Sequence, residues 1–133
     1  MNTETIQFGE HAMIDGYKGD PVLLDNKDIV LRALSELPER LGMHTLSEPM
    51  VMSAPDNGLK DPGGWSGFVI IAESHISIHT FPKRRFVSAD VYTCKPGMDT
   101  KIITDYFTEI FKLEDIEYNF VKRGTRYPLE NLI

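Results

Sequence analysis

Phe68-Val69-Ile70-Ile71-Ala72-Glu73-Ser74-His75-Ile76-Ser77-Ile78-His79-Thr80-Phe81-Pro82 holds two strand-like runs with a polar interruption between them. The first, Phe68 to Ile71, is apolar and bounded by Gly67 and Glu73, and it reads as a short strand buried on both faces. The second, residues 75–81, is rich in β-branched and aromatic side chains. A third run over residues 86–93 follows a turn at Pro82 to Arg85. Within this sheet-like region lie Ser74, two histidines and, at Cys94, the only cysteine of the chain. Reactive polar groups beside a buried core are costly unless they are paired or used. A working site is therefore the first hypothesis.

Outward from this stretch the chain alternates between sheet and helix signals. Phe8 to Tyr17 reads as a strand, ended by Gly16, Gly19 and Pro21. Asp25 or Asn26 can cap a helix over residues 27–41, whose Ile29, Val30, Ala33, Leu34, Leu37 and Leu41 recur at helical spacing. Gly42 stops it, and Pro38 predicts a kinked or irregular last turn. Residues 43–53 read as extended. Residues 54–65, rich in Pro, Gly and Asp, read as loop. Asp99 can cap a second helix running to Lys112, with Ile102, Ile103, Tyr106, Phe107, Ile110 and Phe111 on its apolar face. A last strand spans residues 116–121. Strands around two amphipathic helices predict an α+β two-layer sandwich, an antiparallel sheet with both helices on one face. The other face then needs cover, which a second subunit would supply.

The chain has 133 residues, 41% of them hydrophobic and 26% charged, and this fits a single soluble domain over residues 1–133. The formal charge of -6 and the absence of a basic run longer than Lys83-Arg84-Arg85 argue against nucleic acid and anionic membranes as partners. One cysteine excludes an internal disulfide framework and suits a reducing compartment. The first residues, Met1 to Thr5, carry no basic segment leading into an apolar core, and no apolar run reaches membrane-spanning length. A cytoplasmic location is the expectation.

Three chemistries compete for Ser74, His79 and Cys94. His75 and His79 could ligate a metal, but the helical H-E-x-x-H pattern is absent and no acidic third ligand stands out, so no metal is expected. Ser74 could be a hydrolase nucleophile, but Glu73 and His75 flank it in place of the glycines of a G-x-S-x-G elbow. All three could be structural: a serine at a strand break, a histidine bonded to backbone, a small buried thiol. Alternation adds one constraint. Ser74 and His79 lie an odd number of residues apart, so an unbroken strand points them to opposite faces. Bringing them together needs a bend or break near Ser74.

The segment Ile71-Ala72-Glu73-Ser74-His75-Ile76-Ser77-Ile78-His79-Thr80-Phe81-Pro82, with Ser88-Ala89-Asp90-Val91-Tyr92-Thr93-Cys94 after it, closely resembles the prokaryotic S-adenosylmethionine decarboxylase proenzyme family. Phe8 to Asp15 resembles that family's first strand, and Trp65-Ser66-Gly67 its approach to the cleavage site. The resemblance runs from about residue 8 to residue 125. It implies a self-processing enzyme that severs its own Glu73–Ser74 bond. The serine hydroxyl attacks the preceding carbonyl, elimination leaves dehydroalanine, and hydrolysis leaves a pyruvoyl group. The products would be a β chain of residues 1–73 and an α chain of residues 74–133. By the same resemblance Ser74 becomes the pyruvoyl cofactor that forms a Schiff base with the substrate amine. His79 assists processing, Ser66 supports it, Cys94 is the proton donor, and Phe81 offers an aromatic face to adenine. The implied product is decarboxylated S-adenosylmethionine, an aminopropyl donor for spermidine synthesis. The implied assembly is a homodimer with sites built from both protomers.

The match departs from the family at two places. Lys83 stands where a glutamate usually binds the ribose hydroxyls, and lysine offers no acceptor. Methionines occupy Met50 to Ser53, where a second aromatic for adenine is expected. These departures leave arginine or ornithine as alternative substrates, since an electron sink serves any α-amino acid. A non-catalytic homologue or partner subunit is the alternative from another class.

Overall fold

The computed structural model of the protein describes residues 4–60 and 62–133. Met1 to Thr3, part of the stretch read for a leader, and Asp61 of the predicted loop lie outside the described residues. Strand β1 is Thr5–Ile6 and β2 is Gly9–Tyr17. Helix α1, Pro21–Leu24, is a single turn capped by Asp20, whose carboxylate accepts the Val22 and Leu23 N–H groups. Helix α2, Lys27–Arg40, starts at Asn26, whose side chain accepts the Asp28 and Ile29 N–H groups. Strands β3, Met50–Ala54, β4, Gly64–Ile71, and β5, Ser74–Phe81, follow. A 3₁₀ turn at Pro82–Arg84 leads into β6, Phe86–Thr93. Helix α3, Thr100–Phe111, is capped by Asp99 and ends on Lys112 in a left-handed conformation. Strands β7, Asp115–Arg123, and β8, Tyr127–Pro128, close the chain.

Six strands form one antiparallel sheet in the order β3-β4-β5-β6-β2-β7, and β1 pairs with β8 beside it. Helices α2 and α3 cover one face. Val30, Ala33, Leu34 and Leu37 of α2 and Ile103, Phe107 and Phe111 of α3 meet Ile14, Val69, Ile76, Ile78, Val87 and Val91 in a single core. Gly67 lets α2 approach β4 closely, because a Cβ there would stand 2.9 Å from Leu34 Cδ1 and 2.8 Å from Val51 Cγ2. The α+β two-layer architecture matches the sequence expectation.

Helix α2 runs through Pro38 to Arg40, and its last turn is irregular, with the Leu41 N–H shared between the Leu37 and Pro38 carbonyls and the Gly42 N–H bonded to that of Glu39. Pro38 is buried against the core, and packing of the apolar stripe outweighs the lost backbone bond. The run Phe68 to Ile71 is not buried on both faces within one chain. Val69 and Ile71 are in the core, while Phe68 and Ile70 remain 42% and 45% exposed on the face away from the helices. Met50 and Met52 join them there. An apolar run that reads as doubly buried is covered on one side only, so the sheet has an open apolar edge. No helix among the described residues is long and apolar enough to cross a membrane.

Candidate active site

Strands β4 and β5 form a hairpin in which Ile71 pairs with Ser74 and only Ala72 and Glu73 turn the chain. Glu73 has φ 58°, in the left-handed region, and Ala72 does not share it. Favoured two-residue hairpin turns need positive φ at the first central residue, often with glycine, so this turn follows neither pattern. A side chain at such φ costs about 1–2 kcal/mol. The strain falls on the residue whose carbonyl precedes Ser74. Ser74 itself is 8% exposed. Its Oγ accepts the Cys94 N–H at 3.1 Å and donates to the Ala72 carbonyl at 3.3 Å. The Cys94 thiol lies 3.8 Å from the same Ala72 oxygen and is half-buried. Cys94 reaches this point because β6 pairs with β5 along its length and ends one residue earlier.

A second pair forms further along the hairpin. Ser66 and His79 face each other across β4 and β5, with His79 Nδ1 2.9 Å from Ser66 Oγ. Both lie on the open face. Beside them is a shallow, mostly apolar hollow of about 230 Å³, lined by Met50, Met52, Ser66, Gly67, Phe68 and His79. Phe81 packs on Phe86 at 5.4 Å between ring centroids. Lys83 is exposed in the 3₁₀ turn.

The geometry thus unites Ser74 with Cys94, and Ser66 with His79, but not the two pairs with each other. The bend expected near Ser74 exists at Glu73, one residue too early to turn His79 inward. From Ser74 to Phe81 the strand is unbroken. Ser74 shares the buried side with Ile76 and Ile78, and His79 shares the open side with His75. Five residues of strand separate them by about 16 Å at ~3.3 Å per residue.

Sequence reasoning passed over a polar cluster on the open face. His11 Nε2 meets Asp90 Oδ1 at 3.0 Å, and Ser77 donates to Asp90 Oδ2 at 3.2 Å. Arg123 approaches His11 Nδ1 at 3.2 Å and lies over the Tyr92 ring. His75 stands beside Tyr92 and His11. Burial, then repulsion from His11, lowers the His75 pKa below its ordinary 6.5, with Asp90 pulling the other way. Asp15, nearby on β2, has its pKa raised by burial and by the Glu117 charge. Period-two alternation in β2, β5 and β6 signals this face, but only strand order brings its members together. Among the described residues, no group of three or more His, Cys, Asp or Glu side chains is placed to hold a metal ion.

Residues 10–124 match the S-adenosylmethionine decarboxylase family. The chain is 32% identical to an S-adenosylmethionine decarboxylase proenzyme of Pyrococcus abyssi, over 88% of this chain and 79% of that protein. It is also 32% identical to S-adenosylmethionine decarboxylase proenzyme 2 of Bacillus cereus, over 88% of this chain and 89% of that protein. Its fold is similar to the crystal structure of an adenosylmethionine decarboxylase from Aquifex aeolicus. That comparison has a TM-score of 0.77 and 25% identity, and covers 95% of this chain and 98% of the other.

Proposed function

We propose that this chain, which belongs to the S-adenosylmethionine decarboxylase family, is a self-processing enzyme that removes the carboxylate of S-adenosylmethionine. It is cut between Glu73 and Ser74 into a β chain of residues 1–73 and an α chain of residues 74–133. The product is decarboxylated S-adenosylmethionine, an aminopropyl donor for polyamine synthesis. One observation carries the reading: the serine hydroxyl stands directly after a glutamate strained at φ 58° and is bonded to the N–H of the chain's only cysteine.

Self-cleavage follows from groups the chain already holds. Ser74 Oγ attacks the Glu73 carbonyl carbon, so a C–O bond forms as the Glu73–Ser74 C–N bond breaks. Attack in cis needs no encounter, and relief of the Glu73 conformation favours the break. A serine hydroxyl is a weak nucleophile and needs a base. His79 of a second copy, oriented by that copy's Ser66, is suited to take the Ser74 proton and then the Cα proton, since within one chain His79 lies on the opposite face of β5. The Ser74 Cβ–Oγ bond then breaks, and Oγ departs as part of the Glu73 carboxylate. Hydrolysis of the enamine left at residue 74 consumes water and releases ammonia.

The surroundings of Ser74 suit a pyruvoyl group, with a backbone N–H donor and a thiol next to it and the core beneath. Such a group supplies an electron sink for the pair left when carbon dioxide departs from an amino-acid substrate. Cys94 holds the proton that must reach the substrate's α-carbon. Phe81 and the methionine-lined hollow lie on the His79 side of β5, so a second copy's Phe81 would offer a ring face to the adenine and its hollow polarizable, adaptable contact.

The separation of Ser66 and His79 from Ser74 supports a homodimer. A histidine on one face of a strand cannot serve a serine on the other face of the same strand. A second copy packed against the open face can bring its own Ser66–His79 pair round the exposed Ala72–Glu73 turn at the hairpin end, where Ser74 is reached, which the open face alone does not allow. The exposed Met50, Met52, Phe68 and Ile70 supply apolar area for that contact.

The test is release of carbon dioxide from carboxyl-labelled S-adenosylmethionine, run beside labelled arginine and ornithine because Lys83 cannot accept a ribose hydroxyl. Turnover of S-adenosylmethionine alone is expected. Faster turnover of either basic amino acid would reassign the substrate. Cys94→Ala is expected to be cut normally yet release carbon dioxide about 10²- to 10⁴-fold more slowly.

A further inference from the structure

The loop between β6 and α3 is held by side chains rather than by backbone pairing. Thr93 Oγ1 accepts the Lys95 N–H at 3.0 Å. Glu10 Oε1 accepts the N–H groups of Gly97 and Met98, at 2.6 and 3.1 Å. Asp99 then caps α3. Glu10 is one of few charged side chains in the core region, only 8% exposed, and it faces Thr93 across β2 and β6. Beside it the backbones are so close that a Cβ on Gly9 would stand 2.4 Å from the Thr93 oxygen. A buried carboxylate is expensive unless such charge-assisted bonds compensate it. Its two bonds land three and four residues beyond Cys94.

The remaining anchor is the Cys94 N–H to Ser74 Oγ bond. Under the decarboxylase reading that bond is temporary, because Oγ leaves with the Glu73 carboxylate. We infer that Glu10 is a positioning residue for Cys94 in the mature enzyme, taking over as the fixed point of the loop once the Ser74 hydroxyl is lost. The inference rests on that reading for its catalytic consequence, but not for the anchoring itself. Glu10 is not catalytic, since it bonds to the loop and not to the reacting atoms. Its effect is to keep the thiol aimed, and small misplacement of a catalytic group is costly.

The experiment compares the parent with Glu10→Ala and Glu10→Gln, each purified after processing. Glutamine keeps an acceptor oxygen of the same reach, so it should rescue most of what alanine loses. Glu10→Ala is expected to be cut as fully as the parent, because the serine hydroxyl still holds Cys94 before cleavage. Its kcat should fall about 10- to 100-fold, with KM within about twofold of the parent. Amide exchange at Gly97 and Met98 should accelerate at least tenfold, and the rate of Cys94 alkylation by iodoacetamide should change several-fold. A larger share of α chains should carry an amino-terminal alanine, formed when the proton reaches the α-carbon of residue 74 instead of the substrate's and water then releases the substrate as an aldehyde, its nitrogen left on the chain. Parent-like kcat and parent-like alkylation in Glu10→Ala would overturn the inference. So would a glutamine variant as impaired as alanine, or loss of cutting in both. If the parent itself is never cut, the decarboxylase reading fails. The amide-exchange comparison then still decides whether Glu10 holds the loop.

Discussion

Glu73 pays no visible contact for its left-handed backbone, and its strain is local to the bond that precedes Ser74. Glycine adopts that φ without a Cβ penalty. In an uncleavable Ser74→Ala background, Glu73→Gly is expected to raise stability by about 1 kcal/mol, read from urea unfolding. With Ser74 intact, the same change should slow cutting, because less strain is released. An unchanged urea midpoint would mean that the turn is relaxed as it stands. At this scale the sequence was informative about identity and silent about geometry. The Glu-Ser-His run marked the site, but φ at Glu73 and the Cys94 N–H bond depend on the hairpin register and on β6 ending at Thr93.

Strand β5 is the element on which the site turns. It carries Ser74 toward the core and His79 toward the open face, so each chain holds two halves that cannot meet within it. Co-expression tests this. His79→Ala alone should remain uncut, and so should Ser74→Ala. When both are made in one cell, mixed dimers pair an intact serine with an intact histidine, and the His79→Ala chain should be cut. Absence of cutting in verified mixed dimers would place the processing base within the same chain. The long helices and central strands were legible because their periods, 3.6 and 2, extend over many residues, as from Ile29 to Leu37 and from His75 to Phe81. Helix α1 and the β1–β8 pair escaped because two to four residues carry no period. The Ser66–His79 contact escaped because cross-strand partners 13 apart are visible only once Ile71 and Ser74 fix the register. The run at Phe68 to Ile71 misled in an instructive way. Its composition suits burial on both faces, and a second subunit would provide the missing side.

For the whole molecule, the open sheet face is where a second copy would pack and where an acid response would arise. Its apolar edge at Met50, Met52, Phe68 and Ile70 adjoins the polar cluster of His11, His75, Asp90 and Arg123. The folded protein favours neutral His75, since its pKa is lowered from the ordinary 6.5. Between that value and its lowered folded pKa the unfolded chain binds more protons, so the stability linked to His75 is complete above the ordinary pKa and is lost as pH falls from there through the folded one. Urea midpoints measured from pH 7 down to pH 5 should decline less steeply for His75→Gln than for the parent. Equal slopes would show that His75 makes no contribution.

The proposed activity requires that residue 74 be made into a keto group by a break in the chain before it. Intact mass measurement of freshly purified protein, with and without hydrazine, reads this directly. The predicted result is two polypeptides, residues 1–73 ending in a free carboxylate and residues 74–133 with a blocked terminus that gains one hydrazone, while Ser74→Ala stays whole. A single uncut polypeptide that takes up no hydrazine would contradict it.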